Sequence, residues 1–243
     1  MIRRLRSCRL IFLNLLCKQR DDFLQLIDVL AYRSRLEKDQ KNGTNEFKDD
    51  LTQALLGCRD INTEIYGIQA ISDTIIMSCT DHNKFKEFLI NLTKIYLEFL
   101  KRKIFIRGGV SYGKHFRNTN VTYSHALAAA YELESMKAIY PRIMIDKNII
   151  DMYSRDSRSL PPDNIKGNII AKYNNSYFLN ILAYNDWNEV YSLSKKMYED
   201  NKNYLFGNES AFSKHKWFEN YLFSLKPQHN TNQRYIDEIQ LLD

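Results

Sequence analysis

Glycine and proline are scarce, eight and four in 243 residues, which excludes collagen-like and low-complexity chains. Only four cysteines occur, Cys8, Cys17, Cys58 and Cys79, and no two form a Cys-x-x-Cys pair, so neither a zinc ribbon nor a disulfide framework is encoded. Most sit in apolar stretches and read as small buried hydrophobes, which fits a reducing, cytoplasmic setting. No apolar run is long enough to cross a bilayer. The longest near the start, residues 10–17, is eight residues interrupted by Asn14, far short of ~30 Å of hydrocarbon, and no small-residue cleavage site follows it. It is expected to be a buried strand. Gly-rich phosphate loops, His-Glu-x-x-His and Gly-x-Ser-x-Gly patterns are also missing, and the five histidines are scattered, which removes those enzyme classes.

What is present is an ordinary globular composition, 44% apolar and 26% charged, long enough for a substantial core. The net charge of +6 is spread along the chain and suits a polyanionic ligand such as a nucleoside triphosphate as well as it suits nucleic acid.

Apolar spacing sets the expected elements. Phe23, Leu24, Leu26, Ile27, Leu30 and Ala31 recur at helical intervals, predicting a helix over 21–37, followed by a polar loop over 38–50. The β-rich runs 63–71 and 74–79, separated by Ser72-Asp73, predict a hairpin with Asp73 at its tip. Residues 84–101 carry the clearest helical pattern in the chain. A strand over 103–112, a helix over 125–138 and a strand over 142–146 follow, then a hairpin over 173–183 turning near Asn174-Asn175, and helices over 186–204 and 208–225. The first ~110 residues therefore read β-α-β-β-α-β, an α+β ferredoxin-like core with an antiparallel sheet and helices on one face. Asn14 on strand one and Asp73 on the hairpin are expected to face each other.

Three stretches carry a family resemblance: Ile71-Ser-Asp-Thr-Ile-Ile-Met-Ser78, Ile106-Arg-Gly-Gly-Val-Ser-Tyr-Gly113, and Ala130-Tyr-Glu-Leu-Glu-Ser-Met-Lys-Ala-Ile-Tyr-Pro-Arg-Ile-Met-Ile-Asp146. Together they resemble the class III nucleotide cyclases, most closely the pyrimidine cyclases of the bacterial Pycsar antiphage system. The resemblance implies a catalytic core over 9–150, with 151–243 elaborating the same domain. It implies a homodimer with sites at the subunit interface, two Mn2+ or Mg2+ ions per site, and attack of the ribose 3′-oxygen on the α-phosphate with loss of pyrophosphate. Asp73 matches the second family aspartate. The strand-one pattern, Phe-x-Asp-φ-φ-Gly-φ-Lys with φ apolar, is set against Phe12-Leu-Asn-Leu-Leu-Cys-Lys18, which places Asn14 and Leu15 with Asp73 at the metal positions and substitutes an amide for the first carboxylate.

For substrate binding the resemblance points to Tyr66, Arg107 and Gln69. Ala128 and Glu132 stand where purine cyclases carry an Asn and an Arg. The expected activity is UTP to 3′,5′-cyclic UMP, with CTP as the alternative base, as a signal to a separately encoded effector. The rival readings are a catalytically impaired homologue, favoured by Asn14, and a basic nucleic-acid binder. The latter is disfavoured because the strands lack paired surface aromatics for stacking bases.

Overall fold

The computed structural model describes residues 20–117, 121–155 and 168–237. Among these an eight-stranded sheet runs in the order β2-β3-β1-β4-β6-β8-β7, with β5 pairing β4. The strands are β1 (Arg20–Val29), β2 (Tyr66–Ile71), β3 (Thr74–Cys79), β4 (Ile106–Arg117), β5 (Thr122–Ser124), β6 (Ile143–Ile145), β7 (Ile170–Tyr173) and β8 (Ser176–Leu179). Among the described residues every strand pairing is antiparallel except that of β4 with β6. The helices are α1 (Tyr32–Asn42), α2 (Glu46–Leu56), α3 (Phe85–Lys101), α4 (His125–Glu132), α5 (Lys147–Arg155), α6 (Trp187–Leu205) and α7 (Glu209–Ser224). The mixed α+β class is as expected from sequence, and so is the order of the elements after residue 63, save that β5 and α5 are additions the sequence did not suggest. The tight Ser72-Asp73 hairpin is also as expected, as is the Asn174-Asn175 turn, both of whose residues have positive φ (46° and 56°).

Residues 20–50 differ from expectation. The 21–37 segment is not one helix: Arg20–Val29 is the strand, lying between β3 and β4, and the helix begins only at Tyr32. A central strand covered on both faces is apolar in both phases, so Phe23, Leu24, Leu26 and Ile27 satisfied a helical template by accident. The polar 38–50 stretch is helical, not loop. Gly43 (φ 65°) ends α1, and Asp39 fastens the corner by accepting from the Thr44 hydroxyl (2.8 Å) and the Phe47 amide (3.0 Å) at the start of α2. The place between β3 and β4 is held by Arg20–Val29, and the 10–17 run expected as strand one lies outside the described residues. Asn14 and Leu15 lie outside the described residues.

Alternation along β1 divides the molecule into two faces. Phe23, Ile27 and Val29 enter a large core with Phe88, Leu92, Tyr96 and Phe99 of α3, and with Trp187, Phe218 and Leu222 of α6 and α7. Leu24 and Leu26 enter a four-residue core with Ala126 and Ala130 of α4. The helix after β4 therefore packs on the face opposite α3, while α2 shares the α3 face, as the one-face expectation for the first ~110 residues has it. Gly109 makes this close packing possible: a Cβ there would sit 2.7 Å from Leu133 Cβ and closer still to the Ala130 carbonyl.

Candidate active site

Asp28 is on the α4 face, two residues beyond Leu26, at the end of β1 where it pairs with the hairpin. Its register partner is Thr74, and the next amide, Val29 N–H, donates to the Asp73 carbonyl (2.9 Å). Strand one thus delivers a carboxylate beside the hairpin tip that carries Asp73. On the other edge of β1 Asp28 pairs with Arg107, whose Nε donates to Asp28 Oδ2 at 2.8 Å. The same guanidinium reaches Glu134 Oε1 (2.7 Å, through Nη2) and, at a long 3.4 Å, the Ala138 carbonyl (through Nη1).

Three carboxylates, Asp28, Asp73 and Glu134, stand in one electrostatic neighbourhood with a single guanidinium among them. Burial pushes the Glu134 carboxyl up from its usual range; Arg107 opposes this, and the charges of Asp28 and Asp73 add to it. From the C-terminal part, Lys214 on α7 is within electrostatic reach of Arg107. Burial first, then the like charge of Arg107, lowers its ammonium pKa, and Lys214 Nζ is bonded to the Ser210 carbonyl and hydroxyl (both 2.9 Å). A cavity of about 820 Å3 borders this region at Leu30 and Ala31 and extends to Lys103, Asp200, Lys214 and His215; Asp28, Asp73 and Arg107 do not line it.

Of the residues expected from sequence, Asp73 and Arg107 are brought together, though Arg107 is engaged by two carboxylates. Gln69 shares their sheet face, opposite Ile76 on β3. Tyr66 does not join them. It is fully buried at the far end of β2, opposite Cys79, its ring 6.3 Å from that of Phe88 in the large core. A side chain with no exposed surface there cannot read a base. Ala128 and Glu132 are exposed on α4.

Neither Asp28 nor Glu134 of this cluster is among the residues expected from sequence. A signal was present in Leu26-Ile-Asp-Val-Leu-Ala-Tyr-Arg33, which resembles the strand-one pattern with Leu for Phe, Ala for Gly and Arg for Lys, and with Asp28 in the Asp slot. Ala31 stands in the Gly slot and takes φ 61°, the left-handed conformation that a glycine there would take without strain.

As to the metal ions implied by the resemblance, no group of three or more His, Cys, Asp or Glu side chains poised for a metal occurs among the described residues. The donor set is instead two oxygen-only carboxylates at neighbouring strand ends. That set fits hard divalent cations whose remaining positions are filled by water and substrate phosphates.

No family model and no curated protein matches the chain. Solved structures similar to it include nucleotide cyclases. The adenylyl cyclase CyaB from P. aeruginosa is 14% identical over 67% of this chain and 95% of its own, with a TM-score of 0.47. The guanylate cyclase domain of RhGC from Catenaria anguillulae, in complex with GTP, is 14% identical over 68% of this chain and 98% of its own, with a TM-score of 0.44. A bacterial light-regulated adenylyl cyclase is 13% identical over 81% of this chain and 67% of its own, with a TM-score of 0.46.

Proposed function

We propose that this chain is a metal-dependent nucleotide cyclase that converts UTP to 3′,5′-cyclic UMP in antiphage signalling, with CTP as the second-ranked substrate. The observation that carries this reading is the meeting of Asp28 and Asp73 at neighbouring ends of β1 and the β2–β3 hairpin, beside Arg107.

Asp28 and Asp73 would hold the two divalent ions. Bound there, such ions supply acidification of the ribose 3′-hydroxyl and neutralisation of the triphosphate. The chain's own contributions are orientation and charge. The carboxylates fix their position through the β1–β3 register. Arg107 offers a planar set of donors to a phosphate oxygen or a base carbonyl. The proposal replaces Asn14 and Leu15 by Asp28 at the first metal position, so the catalytically impaired reading, which rested on Asn14, loses its motive.

The pyrimidine preference is supported by Gln69, Ala128 and Glu132, the residues that stand at positions purine cyclases use. A homodimer is supported by exposed apolar side chains around the site: Ile71 at the hairpin, Tyr131 on α4, and Met136 and Ile139 beyond it, each 55–69% exposed. We take 151–243 as part of the same domain because Phe178, Trp187, Phe218 and Leu222 belong to the core that also holds Phe23 and Phe88. No helix among the described residues is long and apolar enough to cross a membrane. The antiphage role and a separate effector rest on the Pycsar resemblance.

The test is purified protein incubated with each of the four nucleoside triphosphates and Mn2+, with products resolved by chromatography. Cyclic UMP as the dominant product is expected. Preference for ATP or GTP in direct competition overturns the pyrimidine assignment, and absence of any cyclic product overturns the cyclase reading.

A further inference from the structure

The turn after α4 is the one π-helical segment among the described residues. It spans Leu133–Lys137 and is closed by a hydrogen bond from Ala138 N–H to the Leu133 carbonyl (3.0 Å). Wide turns of this kind recur at functional sites because they re-aim side chains that a regular helix would direct elsewhere. Here the turn buries Glu134 (4% exposed) and leaves the Ala138 carbonyl at its end, and both contact Arg107. Arg107 thus has two berths that use different nitrogens: Nε on Asp28, and Nη1 with Nη2 on Ala138 and Glu134.

The berths differ in what happens when they are vacated. Asp28, with a side chain 21% exposed beside the hairpin tip, can exchange Arg107 for another cation. Glu134, with a side chain 5% exposed, would be left a buried charge without a partner, which is strongly unfavourable. A cation arriving at Asp28 therefore displaces only the Nε contact, and Arg107 stays on Glu134. With Glu134 neutralised, Asp28 would be the only carboxylate paired with Arg107, and the guanidinium would compete with the arriving ion.

We propose that Glu134 is a positioning residue that holds Arg107 off Asp28 and so frees Asp28 to take a divalent cation. This inference rests on the metal-dependent reading given above. It is tested by titrating Mn2+ alone, without nucleotide, into the wild-type chain, E134Q, R107Q and the double variant by calorimetry.

E134Q is expected to weaken Mn2+ binding by about tenfold, the size of coupling usual for residues in one charge network. R107Q is expected to bind at least as tightly as wild type. In the R107Q background, E134Q is expected to change affinity by less than about twofold, because a residue that acts through Arg107 has nothing left to act on. Unchanged affinity in E134Q overturns the role of Glu134 while leaving the metal site standing. An equally large loss on adding E134Q to R107Q also overturns it, since Glu134 would then act on the ion directly. No Mn2+ binding by the wild-type chain overturns the metal site and this inference with it. Glu134→Asp, which keeps the charge one methylene shorter, serves as the second variant. If E134Q does not fold, binding by E134D within about threefold of wild type supports the role, and a tenfold loss that persists in R107Q/E134D overturns it.

Discussion

The two faces of the sheet are built to different specifications. Under α3 the core is wide and aromatic: Phe23 stacks on Phe85 (4.3 Å between ring centroids), Tyr96 lies parallel to Phe218 (6.0 Å), and the Tyr96 hydroxyl donates to the Pro141 carbonyl (2.7 Å). Under α4 the core is two leucines and two alanines, with backbone against backbone at Gly109 and the Ser111 hydroxyl bonded to the Ala126 carbonyl (2.5 Å). The first face stores most of the apolar burial. The second leaves room at the ends of β1 and β4 for charged groups that would be too costly to desolvate within the first. The large core and the charged cluster of Asp28, Arg107 and Glu134 thereby lie on opposite sides of the same strands, residue by alternate residue.

This division can be broken from either side. On the site face, Asp28→Ala and Asp73→Ala should each cut nucleotide turnover by at least about a thousandfold, or roughly 4 kcal/mol of transition-state stabilisation. Their denaturant midpoints should stay near wild type, because neither side chain fills core volume. Retained turnover in either variant, with normal Mn2+ dependence, removes that residue from the site.

On the opposite face the signature reverses. Phe88→Ala, at a position with no exposed surface, should cost about 3–5 kcal/mol in urea unfolding. The remaining folded fraction should keep its substrate preference. A loss under about 1 kcal/mol would mean the aromatic core relaxes around the gap.

His215 sharpens the comparison through pH. It lies between Phe105 and Tyr198, and burial lowers its imidazole pKa to about 4. The unfolded chain holds the proton more tightly, so the contribution to stability is complete above about pH 6.5 and is lost as pH falls toward 4. The total lost is on the order of 3 kcal/mol. His215→Phe should flatten the stability profile over this window, and an unchanged slope would show that other groups set it.

The smallest expected effect is at the seam between faces. Gly109→Ala should cost about 2 kcal/mol, because the new methyl meets the Ala130 carbonyl and α4 must move. Displacement of α4 also shifts Glu134, so Mn2+ affinity should fall more than it does in Phe88→Ala. Equal affinities in the two variants would separate the seam from the site.

Local pattern settled whatever depended on local chemistry. Eight apolar positions at helical spacing define α3, Ser72-Asp73 and Asn174-Asn175 supply the conformations their turns require, and the Asp73 tip follows from the hairpin alone. By contrast, residues 21–31 carry apolar side chains in every phase, and only the docking of β3 and β4 on both edges of Arg20–Val29 makes them a strand. That single decision places Asp28 at the end of β1 beside the hairpin, where the proposed function puts its first carboxylate. It also directs Tyr66 into the core by the alternation of β2 against β3. Glu134 reads in sequence as one more surface glutamate of an Ala- and Glu-rich helix. Its burial against Arg107 comes from the π turn and the close approach permitted by Gly109, and such long-range packing leaves no periodic trace along the chain.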